Sequence, residues 1–105
     1  MDQFAVMSLK QQQKRHLRRL GHSLKPVVLT GAAGLTPNVM HEIDQALDDH
    51  ELVKVKVVAD DRPDRRARIQ QICDETGAEL VQAMGNIALL FRRSRIEKKQ
   101  RIALP

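Results

Sequence analysis

Between residues 26 and 59 the hydrophobic period of the chain changes twice. Val27, Val28 and Leu29 form an apolar run without polar alternation. Beyond Gly31-Ala32-Ala33-Gly34, the positions Val39, Ile43, Ala46 and Leu47 recur at helical spacing. From Glu51 to Ala59, Val53, Val55 and Val57 alternate with Lys54 and Lys56. The outer two patterns are those of strands and the middle one that of an amphipathic helix. Thr36 suits an N-cap and Pro37 the first helical position, where its missing N–H costs nothing, so a helix is predicted from about 37 to 49. A strand, a crossover helix and a second strand favour a parallel pair with a right-handed connection, and hence an α/β fold. The unbroken Val27–Leu29 run predicts a strand covered on both faces or lying centrally.

The flanks extend this unit. Upstream, Leu9, Leu17 and Leu20 share a helical face, Ser8 with Gln11 fits a capping box, and Gly21 offers a stop. Downstream, Pro63 marks a helix start, with Ile69, Ile72, Cys73 and Thr76 at helical spacing before Gly77. Two further strands meet at Gly85-Asn86, a dipeptide suited to a two-residue hairpin turn. The predicted order is α-β-α-β-α-β-β, giving a mixed four-stranded sheet with packed helices. A single domain is expected over 8–93, and the polar, basic residues 94–105 are expected to form a tail that frays unless a partner orders it.

A chain of 105 residues has room for one compact domain. Its one cysteine excludes an internal disulfide. With no apolar run long enough to span a bilayer and no signal-peptide pattern, a soluble, cytoplasmic protein is expected, and a monomer.

Charge is sorted along the chain. Residues 1–30 carry six basic against one acidic side chain, residues 92–105 repeat that ratio, and the stretch between holds six basic against eleven acidic. Clustered cations point to a polyanion, because phosphate contacts release counterions. On the first helix Lys10, Lys14 and Arg18 lie four apart, with Arg15 and Arg19 beside them. The acidic group Asp44, Asp48, Asp49 and Glu51 is expected to be solvated helix surface facing away from such a partner.

Catalytic readings fail on spacing. The glycine loop lacks the lysine of a phosphate-binding P-loop and the third glycine of a dinucleotide fingerprint. His16, His22, His41 and His50 show no metal-ligand spacing, Asp60 and Asp61 fit the start of a helix, and no nucleophile–base pair is evident. Cys73 and Phe91 fit core positions. With only Phe4 and Phe91 as aromatics, recognition is expected to rest on backbone charge and shape rather than on base stacking. An enzyme and a cofactor are therefore not expected, and no DNA-reading helix stands out. A protein-interaction adaptor, with basic ends serving solubility, is the alternative.

The spaced pieces LKPVV, GAAGLT, ELVKVKV and TGAELVQAMGNIALLFR, within a stretch from about Leu9 to Phe91, resemble the CRM domain, named for chloroplast RNA splicing and ribosome maturation. The resemblance is to its stand-alone bacterial form, which associates with the precursor of the large ribosomal subunit. It implies an RNA-binding module similar in fold to the C-terminal domain of translation initiation factor three, with ribosomal RNA as partner and the GxxG loop at the RNA surface. Here that loop holds Ala32 and Ala33 where the family often has a basic or polar residue. The candidate RNA-binding residues are therefore Gly31, Ala32, Ala33 and Gly34 through their backbone, with Lys10, Lys14, Arg15, Arg18, Arg19, Lys25, Lys54 and Lys56 supplying charge.

Overall fold

A computed structural model describes residues 8–31 and 33–105. Its elements are α1 (Gln11–Gly21), β1 (Pro26–Leu29), α2 (Pro37–His50), β2 (Leu52–Lys56), α3 (Arg62–Thr76), β3 (Glu79–Met84) and β4 (Ile87–Phe91), followed by a single 3-10 turn at Glu97–Lys99. The order is the predicted one. The four strands form one mixed sheet in the sequence β1-β2-β4-β3, with β1 parallel to β2 and β4 antiparallel to both neighbours.

Local chemistry accounts for most element ends. The Val39 N–H donates to Thr36 Oγ1 at the start of α2, and the Asp64 N–H donates to Asp61 Oδ1 at the start of α3, each satisfying a donor that the first turn leaves free. At α1 the structure departs from the expected Ser8–Gln11 box. Lys10 is the N-cap, and its N–H donates to Gln13 Oε1, because the Leu9 N–H is drawn to the Glu79 carboxylate at 2.8 and 3.0 Å and fixes the chain two residues later.

The pleat sorts the core into two layers. Val53 and Val55 join Ile43, Leu47, Ile69, Ile72 and Leu90 beneath α2 and α3. On the opposite face Leu17 of α1 packs with Leu52, Val81, Leu89 and Phe91. Gly21 closes α1 directly over Leu89: a Cβ there would lie 2.7 Å from a Leu89 methyl. Only a residue without a side chain lets the helix end approach the sheet so closely.

Two expectations are corrected. β1 is an edge strand, not a central or doubly covered one, and Val27 and Leu29 are 52% and 59% exposed while Val28 alone is buried. The physical reason is the path after β2. The α3 crossover carries β3 one strand position too far, and the hairpin returns β4 into the gap, so β2 is flanked by β1 and β4 and the outer edge of β1 is left uncovered.

The second correction concerns the two charged clusters. Asp48 and Glu51 are buried rather than solvated, and of the residues after Arg93, Ser94 is buried while Ile102 and Leu104 pack against the α1-side core. Glu51 ends α2 at φ +67°, uncommon for a residue with a Cβ. Its carboxylate accepts the backbone N–H groups of Ser94, Arg101 and Ile102 and both oxygens face Arg93 Nη1 at 3.2 Å. Asp44 and Asp48 are bridged by Arg92 and Arg95 at 2.5–3.0 Å, and Lys99 Nζ meets Asp49 at 2.6 Å. Burial by itself would raise the Glu51 pKa, but the three N–H donors and the Arg93 charge together bring it below the ordinary value. Hydrogen bonding from the Arg95 side chain, against the opposing effect of burial, holds Asp48 well below the usual carboxylate range. At Asp44 the desolvation is likewise outweighed by Arg92 and Arg95, and the pKa is lowered. The charges that looked like two solvated blocks are one folded network.

Candidate nucleic-acid interface

On the α1 side of the sheet the side chains form three rows across the strands. Leu52 and Phe91 make the first, and α1 covers it. Lys54, Leu89 and Gln82 make the second, which the Gly21 end of the helix covers in part. Leu29, Lys56, Ile87 and Met84 make the third. Leu29, Lys56 and Met84 of that row are exposed.

Where α1 stops short of the third row, a cleft of about 590 Å³ opens. The helix side supplies Arg15, Arg18, Arg19 and His22; the sheet side supplies Lys54, Gln82, Met84, Ile87 and Leu89. Helical spacing explains the cationic wall, since positions 15, 18 and 19 share a face one turn before the helix ends. The α1 C-terminus would favour cations by its dipole, and Arg18 and Arg19 occupy the last turn. Lys54 Nζ donates to the Leu24 carbonyl at 3.0 Å, which ties the loop after α1 to the strand without neutralising the ammonium charge.

The predicted residues divide as follows. Arg15, Arg18, Arg19 and Lys54 converge on the cleft. Lys56 lies on the same face, between Ile87 of the cleft and Leu29 at the threshold of the glycine loop. Lys10 and Lys14 lie toward the far end of α1; Lys10 is about 16 Å from Gly21 at a rise of about 1.5 Å per residue. Lys25 is apart from the cleft, beside an apolar groove at the β1 edge with Leu20, Leu24, Val27 and Ile102. None of these eight cations pairs with a carboxylate among the described residues.

The glycine loop follows β1. The Gly34 N–H donates to the Gly31 carbonyl at 2.9 Å and the Thr36 N–H to the Gly34 carbonyl at 3.1 Å. Gly34 holds φ +79° and is buried, and a Cβ there would crowd the Arg68 guanidinium at 3.3 Å. Gly31 and Ala33 are exposed, and a Cβ on Gly31 would meet nothing within 4 Å. Ala32 lies outside the described residues. The two glycines thus differ: Gly34 is required by the turn, whereas Gly31 leaves room above the backbone for a ligand. Of the helix start behind the loop, Pro37 has no N–H and the Val39 and Met40 donors are taken by Thr36. The Asn38 N–H is the first-turn donor left to an anion.

Sequence reasoning missed Gln82, Met84, Ile87 and Leu89 as cleft residues, and Arg68 behind the loop. Their two-residue spacing within each strand is visible in the sequence, but only the strand order brings them under Arg15 and Arg18. Cys73 is half-buried, and burial, with Asp74 and Glu79 acting in the same direction, pushes its thiol up to about 11. No helix among the described residues is long and apolar enough to cross a membrane.

Known proteins share this arrangement of chain. A Pseudomonas aeruginosa protein named a probable RNA-binding protein is 43% identical over 88 residues, covering 84% of this chain and 85% of that one. A Haemophilus influenzae protein named an RNA-binding protein is 45% identical over 95 residues, covering 90% and 96%. The solution structure of a hypothetical protein from Staphylococcus aureus is similar with a TM-score of 0.77 and 33% identity, covering 93% of this chain and 100% of that one. The CRS1/YhbY (CRM) domain matches residues 9–92, the span that holds α1, the cleft, the glycine loop and the whole sheet, and the chain therefore belongs to the CRS1/YhbY (CRM) family.

Proposed function

We propose that this protein binds RNA without chemically altering it, and that its target is ribosomal RNA within the precursor of the large ribosomal subunit. The observation that carries the first part is the run of cations from α1 through Lys54 and Lys56 to the glycine loop, on one face of the sheet, which pair with no carboxylate among the described residues. Membership of the CRM family and the RNA-binding names of its relatives support the same reading. The ribosomal part is supported by the resemblance to the stand-alone bacterial members.

In this mechanism Lys10, Lys14, Arg15, Arg18 and Arg19 follow phosphates along α1, and Lys54 and Lys56 continue the path across β2. Gly31 and Ala33 let the RNA backbone approach the loop, and Lys25 extends the cationic surface at the sheet edge. Phosphate neutralisation supplies the affinity, and the reaction ends at binding. No cofactor is required, and the protein acts as a cytoplasmic monomer.

Gradient sedimentation of a cell lysate, with detection of the protein, tests the target. Co-migration with large-subunit precursors is expected, and its absence from those fractions would overturn the ribosomal assignment. Retention on immobilised RNA at about physiological salt separates RNA binding from an adaptor role; affinity should fall steeply as salt rises, by about 0.7–0.9 log units per log unit of salt for each phosphate neutralised.

A further inference from the structure

We propose that the cleft between the end of α1 and the sheet receives an unpaired nucleotide, with its base on an aliphatic floor and its phosphate against the arginine wall. The inference rests on the RNA-binding reading and adds the class of RNA: single-stranded at this point, not duplex. It also departs from the expectation of recognition by backbone charge and shape alone.

The open floor is Met84, 63% exposed, and the half-buried Ile87, with Leu89 buried beneath the end of α1 at its back. An apolar surface of this kind at the base of a cleft gains from being covered. What covers it is constrained by the rim. Arg15, Arg18, Arg19 and Lys54 surround the floor, and the described residues lining the cleft include no carboxylate. An apolar peptide side chain would fill the floor and leave four cations without a partner, whereas a bare phosphate would satisfy the cations and leave the floor wet. A nucleotide offers a flat apolar body and an anionic group a few ångströms away. The volume of about 590 Å³ lies inside the roughly 300–1,000 Å³ typical of small-molecule sites.

Pairing state follows from which surface of the base must be free. In a duplex both faces of each base are stacked and unavailable to the floor, while in a single strand they can be presented to a protein. Gln82 stands in the same row as Leu89, and its amide can donate to and accept from a base edge. The third row continues through Lys56 to Leu29, 59% exposed beside the glycine loop, so the strand has a path from the cleft to the loop.

Three RNAs of one length discriminate: an unstructured single strand, the same strand with abasic riboses, and a blunt duplex, each titrated at the same series of salt concentrations. The single strand should bind best. Met84→Ser should weaken its binding by about threefold to tenfold, the partial burial of one methionine on a base. The same variant should leave abasic and duplex binding and the salt slope unchanged, because no cation is lost. Gln82→Ala, in the same cleft, should act in the same direction. Equal binding of all three RNAs by the parent, or preference for the duplex, would overturn the cleft assignment while leaving RNA binding intact. A parent that binds no RNA would overturn both proposals.

Discussion

The two basic ends of the chain have the same count of charges and different fates. Residues 1–30 and 92–105 each hold six basic side chains against one acidic. At the C-terminal end, Arg92, Arg93, Arg95 and Lys99 pair with Asp44, Asp48, Glu51 and Asp49. On α1, Arg15, Arg18 and Arg19 face an open cleft with no carboxylate partner among the described residues. Excess charge in a sequence therefore says little about a ligand until it is known which charges the fold has already matched. Four of the six C-terminal cations are spent on holding the protein together, whereas the α1 arginines remain for a polyanion.

The largest effect should come from Glu51→Ala. It removes the acceptor of three backbone N–H groups and the partner of Arg93, and is expected to destabilise the fold by about 3–5 kcal/mol, measured by urea unfolding. The salt slope of RNA binding, measured on protein still folded, should not change. A changed slope would mean that the C-terminal cations also meet RNA.

On the other side of the comparison, Arg15→Glu combined with Arg18→Glu should lower RNA affinity at least about tenfold and flatten the salt dependence by about two counterions, with an unchanged urea midpoint. Unaltered affinity would remove the cleft wall from the interface.

Acid separates the two regions further. Asp44, Asp48 and Glu51 have lowered pKa values in the fold. The stability they supply is fully present above the unfolded carboxylate value of about 4 and is lost as pH falls through the lower folded values. Urea midpoints should therefore drop below about pH 4, and by less in an Asp44→Asn variant. An equal acid response in parent and variant would contradict the network.

Smaller effects sharpen the loop. Gly34→Ala should cost about 1–2 kcal/mol, because a residue with a Cβ must take up φ +79°. Gly31→Asp has room and should leave stability unchanged while weakening RNA binding about threefold or more by placing a negative charge near phosphates. If Gly31→Asp binds RNA normally, the loop is only a turn.

How far the sequence reaches depends on the range of the forces involved. The α2 start at Thr36-Pro37, the alternation Val53-Val55-Val57 and the Gly85-Asn86 turn are local signals, and each appears where expected. The position of β1 at an edge could not be read from Val27-Val28-Leu29, since strand order is settled by β4 pairing with β2 from more than thirty residues away. The ion network joins residues 44–51 to 92–102, and no pattern within either stretch shows that the other will neutralise it. For the same reason, composition could nominate Arg15, Arg18 and Arg19 but could not place Met84 and Ile87 beneath them.

The seating of Glu51 also bears on the order in which the protein can be completed during synthesis. Its carboxylate lies at the end of α2, yet the donors that offset its burial include the N–H groups of Arg101 and Ile102. A nascent chain that has made all three helices and the full sheet still carries an unsatisfied carboxylate at a core position, which opposes closing the domain. The full set of donors around Glu51 therefore exists only once the residues through Ile102 have been made.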